Sequence, residues 1–223
     1  MGKAMVSGKV AFTLALFASL AYRLTQPPGP VDLAVYRAAG NAVLNGVPLY
    51  APNFGEWAST SLPFTYPPIA AVLSAPLAPF PLGLDYLAWT AASLVLLVVL
   101  LKRLTDLSHL DLLLIAAVAV WLVPVTGSLV MGQLGIIITV GCIFGCLSAR
   151  PWVAGVIGVL AAVKLTPLLF LVYFAITKQW QRLAWASAGF GVSTVIGWLL
   201  LPDETREYFL NLLGDSQRVG DPG

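Results

Sequence analysis

Apolar residues fall in separate runs along this chain, at 10–24, 67–80, 84–101, 110–125, 133–148, 151–177 and 184–201. A bilayer's hydrocarbon core is about 30 Å thick, and a helix needs about 20 apolar residues to cross it. Runs of this kind predict an all-α, multi-pass transmembrane protein, with about seven membrane-embedded spans plus juxtamembrane helices. Only 10% of the residues are charged, against about 25% in soluble domains.

Two runs depart from a simple span. Residues 67–80 are interrupted by Pro76 and closed by Pro79 and Pro81. A helix there would rise only about 21 Å, too little to cross, and reads as juxtamembrane or re-entrant. Residues 151–177 are too long for one pass and contain Lys164 and Pro167. A lone ammonium at membrane depth costs several kcal/mol by insertion scales, so it faces a partner or a watery cavity. Two short helices forming a hairpin with Lys164 at its tip fit this run best, although a lysine can also snorkel to the interface.

The positive-inside rule sets an orientation. With the N-terminus in the cytoplasm, Lys3, Lys9, Lys102, Arg103, Arg150, Lys178 and Arg182 fall inside, seven of the twelve bases. Segment 25–66, the Gly132-Gln133 corner, the tip at Lys164 and the C-terminal tail then share the outer side. Trp121 and Trp198 fall near outer span ends, and Trp152, Trp180 and Trp185 near inner ones, as interfacial anchors do. Lys3 and Lys9 ahead of an apolar run, with Ser19-Leu20-Ala21 after it, could pass for a signal peptide. An uncut first helix is the simpler expectation.

Several function classes drop out. There is no basic tract and the net charge is only +2, so no nucleic-acid partner is expected. Cys142 and Cys146 lie one helical turn apart in an apolar run and read as two small buried hydrophobes, since a metal or redox pair would need further ligands nearby. Gly141 and Gly145 form a small-residue face that lets two helices approach closely. His109, beside Asp106 and Asp111, reads as a solvated turn residue.

Chemistry gathers in the outer segment 25–66. After Asp32, the residues Leu33, Tyr36, Gly40, Val43 and Leu44 follow a helical period, with Arg37, Asn41 and Asn45 on another side. This is an amphipathic helix able to lie on a membrane surface. Asp32 stands where an N-cap would, and is open to reading as a cap or as a general base. Tyr36 lies beside it, one turn on. Tyr66 precedes Pro67 and Pro68, which hold it extended and start the next helix. Gln133 places an amide at the outer edge of a span.

The order of these pieces is Asp32-x-x-x-Tyr36, Gly46-x-Pro-Leu-Tyr50, Phe64-x-Tyr66-Pro67-Pro68, Gly132-Gln133 and Lys164-x-x-Pro167. In that order the whole chain resembles the N-terminal half of glycosyltransferase family 87, polyprenyl-phosphate-mannose-dependent mannosyltransferases with the C-type membrane glycosyltransferase fold. The tail Gly214-Asp-Ser-Gln-Arg-Val-Gly220 resembles the loop of the branch acting on phosphatidylinositol mannosides. The resemblance implies that Asp32 is the catalytic base and that Lys164 binds phosphate. Tyr36, Tyr66 and Gln133 join Lys164 as expected substrate-binding residues. Full-length members run on past this length. The chain, 1–223, is therefore expected to be the N-terminal part of one membrane-embedded transferase domain, with its catalytic loop at 25–66 and its C-terminal half absent.

The implied partners are a polyprenyl-phosphate sugar donor, a glycolipid acceptor and the lipid bilayer, with no cofactor. A polyprenyl phosphate leaves readily, so the difficult proton is the acceptor hydroxyl's, and one carboxylate base suffices for inverting transfer. A cation near the departing phosphate stabilises charge as it develops. The outer loop shows no Asp-x-Asp pair, so no metal is expected. Three other readings stay open. An arabinofuranosyl donor could serve on the same scaffold. A lipid flippase or transporter subunit would use Lys164 to guide an anionic headgroup, but should show broken helices in matching places of two halves. A non-catalytic assembly subunit would tolerate changes at Asp32.

Overall fold

The structure is a computed structural model that describes residues 3–26, 29–51, 53–57 and 62–213. The tail beginning at Gly214 lies outside the described residues. All regular structure among them is helical. Helices α1 (Lys3–Leu24), α2 (Val31–Asn45), α3 (Phe54–Trp57) and α4 (Pro68–Ser74) come first, and α4 continues into a 3-10 turn, Ala75–Leu77. Next are α5 (Leu82–Leu104), α6 (His109–Ala119), α7 (Val123–Met131), α8 (Gly135–Leu147) and α9 (Gly155–Val163). The last are α10 (Leu169–Ile176), α11 (Trp180–Leu200), α12 (Pro202–Glu207) and a π-helical turn, Tyr208–Leu212. The chain divides into two units, residues 1–33 with 83–140 and residues 34–82 with 141–223.

In the first unit, α5 has 23 residues and is long and apolar enough to cross a membrane. The expected span at 110–125 is instead broken. Helices α6 and α7 meet at 78°. Pro124 explains the break, because it has no N–H and its ring clashes with the carbonyl four residues back. That carbonyl, on Val120, accepts the Thr126 hydroxyl at 2.5 Å instead. The expected span at 133–148 is also corrected. Helix α8 has 13 residues, a rise of about 20 Å, and falls short of a crossing. At the start of α6, Ser108 caps the Asp111 N–H, and the Asp111 carboxylate pairs with Lys9 of α1 at 2.5 Å.

In the second unit, α11 is the other helix long and apolar enough to cross. Helix α9 lies on it through glycines. A methyl group at Gly158 would run into the Ala186 carbonyl, and one at Gly189 into that of Gly155. Gly141 and Gly145 of α8 give the close approach expected of them, against Leu160 and Ile157 of α9. The Arg182 guanidinium of α11 donates to the carbonyl oxygens of Gly145 (2.8 Å) and Ser148 (2.5 Å), closing the end of α8. The run 151–177 breaks at Lys164 as expected, with Lys164 extended at φ −146° and ψ 120°.

In all, two helices are long and apolar enough to cross a membrane, or three if the bent pair counts as one, against the expected seven or so. Helices Pro68–Leu77, Gly135–Leu147, Pro151–Val163 and Thr166–Ile176 are apolar but shorter. The apolar side chains left outside the packing include Leu169, Ile176, Leu199 and Val123, at 74–84% exposure. Water would not tolerate so much apolar surface, and a bilayer does. The protein is a membrane protein.

Candidate functional site

Helix α2 begins at Val31, so Asp32 is inside its first turn and is not the expected N-cap. A carboxylate there still meets the positive end of the helix dipole. The buried face of α2 is Leu33, Val35, Tyr36, Ala39, Gly40 and Ala42, whereas Leu44, expected on it, is 62% exposed.

The partner of Asp32 arrives from far along the chain. Helix α7 ends in Gly132, left-handed at φ 69° and ψ 37°. Glycine is required there twice over. The positive φ suits a residue without Cβ, and a side chain would strike the Cβ of Leu33. That contact sets the corner beside the start of α2. The next residue, Gln133, then donates its Nε2 to Asp32 Oδ2 at 2.9 Å. Trp89 Nε1 holds the Gln133 carbonyl at 3.3 Å, and Tyr86 donates to the Val130 carbonyl at 3.1 Å. The other carboxylate oxygen of Asp32 accepts no hydrogen bond from a described residue.

The second unit gathers the other expected residues around Tyr66. Pro67 caps α4 with an extended ψ of 150°, and Pro68 is its first helical residue. Tyr36 donates its hydroxyl to that of Tyr66 at 3.0 Å, and the two rings meet edge to face at 5.1 Å. Tyr50 donates its hydroxyl to the Tyr66 carbonyl at 2.6 Å. Lys164 Nζ stands 5.5 Å from the Tyr66 ring centroid, within cation–π range. Among the described residues, no carboxylate pairs with this ammonium.

Thus Gln133 is brought to Asp32, and Tyr36 and Lys164 to Tyr66. Sequence reasoning missed the aromatic wall that carries Tyr66. Phe64 packs on Tyr66, Tyr50 and Phe54, and Tyr208 packs on Tyr50. It also missed Glu204, which accepts the Leu49 N–H at 3.1 Å. Burial raises the Glu204 pKa above its ordinary value, against the pull of that hydrogen bond, with Glu207 and Asp203 adding to the rise. The spacing Gly46-x-Pro-Leu-Tyr50 marked the loop, but nothing in it pointed to residue 204. Arg37 donates to the carbonyls of Phe80 (2.8 Å) and Ala78 (3.2 Å). Cys142 and Cys146 are free thiols. Among the described residues no three His, Cys, Asp or Glu side chains group as a metal site would need.

The sequence profile of Glycosyltransferase family 87 matches residues 64–223. Among curated proteins, the chain is 33% identical over 219 residues to the polyprenol-phosphate-mannose-dependent alpha-(1-2)-phosphatidylinositol mannoside mannosyltransferase of Mycolicibacterium smegmatis, covering 88% of this chain and 50% of that protein. It is 33% identical over 218 residues to the corresponding phosphatidylinositol pentamannoside mannosyltransferase of Mycobacterium tuberculosis, covering 93% of this chain and 51% of that protein. The chain therefore spans about half the length of the curated relatives it matches. No solved structure matches it.

Proposed function

Because the chain belongs to glycosyltransferase family 87, we propose that it carries part of a mannosyltransferase that takes mannose from a polyprenyl-phosphate donor. The acceptor is a lipid-linked glycan of the phosphatidylinositol mannoside type. The named activities of relatives 33% identical over most of the chain support this choice of sugar and donor, and favour it over the arabinofuranosyl and flippase readings.

Asp32 is the base. It removes the acceptor hydroxyl's proton while that oxygen forms a bond to the sugar's anomeric carbon. The bond from that carbon to the phosphate oxygen breaks, and polyprenyl phosphate leaves with the electron pair. The attack is from the opposite face, so a β-linked donor gives an α-linked product. The observation that carries the assignment is a half-buried carboxylate with one oxygen held by Gln133 and the other accepting nothing from a described residue.

Lys164 is the cation for the donor phosphate. Its ammonium rests on an aromatic face and pairs with no described carboxylate, which leaves its charge for an anion. Of the two tyrosines, half-buried Tyr66 is the one that meets the sugar, and buried Tyr36 orients it by donating to its hydroxyl. Transfer takes place on the outer face of the plasma membrane, with the N-terminus cytoplasmic.

The test is mannose transfer from radiolabelled polyprenyl-phosphate mannose in membranes containing the protein. Asp32→Asn is expected to lower the rate by about 10²–10⁴-fold, the range for loss of a general base. A wild-type rate at normal abundance would remove the assignment. Lys164→Met is expected to weaken donor use, and unchanged donor KM and kcat would leave Lys164 a snorkelling residue only.

A further inference from the structure

We propose that Gln133 is the positioning residue of the base, and that Oδ1 of Asp32 is the oxygen that takes the acceptor's proton. This rests on Asp32 acting as the base. A carboxylate on a helix's first turn can rotate about χ1 and χ2, and either oxygen could face the acceptor. The Gln133 amide removes that freedom. Its Nε2 donates to Oδ2 at 2.9 Å, and Oδ1 accepts no hydrogen bond from a described residue. Gln133 is itself fixed from two sides. Trp89 donates to its carbonyl, and left-handed Gly132 sits against Leu33, the neighbour of Asp32. Both contacts of the Gln133 amide nitrogen are within the protein, to Asp32 Oδ2 and, at 3.5 Å, to Met131 Sδ, so its donors serve the base, and substrate binding by Gln133 is the competing reading that the kinetics below decide.

Loss of the amide should leave substrate binding intact and misplace the base. A displacement of about 1 Å at a reacting group can cost about 10²-fold in rate. Gln133→Leu and the isosteric Gln133→Glu are each expected to lower kcat by about 10–100-fold, with the KM values for donor and phosphatidylinositol mannoside unchanged. In an Asp32→Asn background, Gln133→Leu should cost nothing more. The exchange of lengths, Asp32→Glu with Gln133→Asn, should recover activity lost in each single variant, which a merely structural role would not produce.

The isosteric variant guards against misfolding, since it keeps the volume of the side chain. If KM rises while kcat holds, Gln133 binds substrate and the proposal fails. If Gln133→Leu costs as much in the Asp32→Asn background as in the wild type, the two residues act independently and it fails. A normal Gln133→Glu rate with an inactive Asp32→Asn sinks the positioning role alone. A normal Asp32→Asn rate sinks the base assignment, and the positioning role with it.

Discussion

At the level of single residues, the candidate site was legible where a residue stands out from its local run. Asp32 and Tyr36 share a helical spacing, Tyr66 precedes a double proline, and Lys164 interrupts an apolar run. What could not be read was the partner of each group. Gln133 and Asp32 are 101 positions apart, and only the turn at Gly132 brings them together. Glu204 is a similar case, 155 positions from Leu49. Its carboxyl is harder to ionise in the fold than in an unfolded chain, chiefly because burial strips it of water. The folded state therefore binds its proton more tightly. That contribution to stability is fully present below the ordinary value of 4.5 and is lost as the pH rises through the folded value. Glu204→Gln keeps an oxygen for the Leu49 N–H and never ionises. Thermal unfolding in detergent should show the wild type losing stability from the ordinary value upward, and the variant losing less. Parallel curves would mean that Glu204 stays solvated.

Among the helices, length and apolarity located most elements, but not which of them cross. Run 110–125 looked like a span because its residues are apolar, yet Pro124 forbids a straight helix through it. Run 133–148 failed differently. Its first two residues belong to the turn that ends α7, so the helix is too short. The Gly141–Gly145 face could be read from its spacing. The contact of α9 with α11 could not, because Gly155 and Gly158 say nothing about which partner backbone they admit. There the two backbones are so close that a Cβ at Gly158 would press on a carbonyl, which cannot rotate away as a side chain could. Gly158→Val is therefore expected to destabilise the protein by about 1–3 kcal/mol, the usual range for overpacking. Gly191→Ala lies on the same α11 with nothing within 4 Å and serves as its control. Unfolding midpoints in detergent would separate them. Equal midpoints would show that α9 and α11 have room to part.

For the molecule as a whole, composition alone identified a membrane protein, while the direction in which it sits rests on where charges fall. The first unit supplies a geometric check on that direction. Lys9 pairs with Asp111 near the turn that follows α5, and Lys102 and Arg103 lie in the last turn of the same helix. Near the other end of α5, Tyr86 and Trp89 bond the carbonyls of Val130 and Gln133. The basic cluster and the Asp32–Gln133 pair thus lie toward opposite ends of a helix of 23 residues, whose length of about 35 Å exceeds a hydrocarbon core of about 30 Å. If the basic end is cytoplasmic, as the positive-inside rule has it, the carboxylate faces outward. Single cysteines test this after Cys142 and Cys146 are replaced by alanine. Thr25→Cys, just past the end of α1, should react with a membrane-impermeant maleimide on intact cells. Asp106→Cys, between α5 and α6, should react only after permeabilisation. Both sites are exposed, so accessibility within the protein does not limit either. The reverse pattern would put Asp32 on the cytoplasmic side and overturn an outward-facing transferase. Labelling of both on intact cells would mean that α5 does not cross the bilayer.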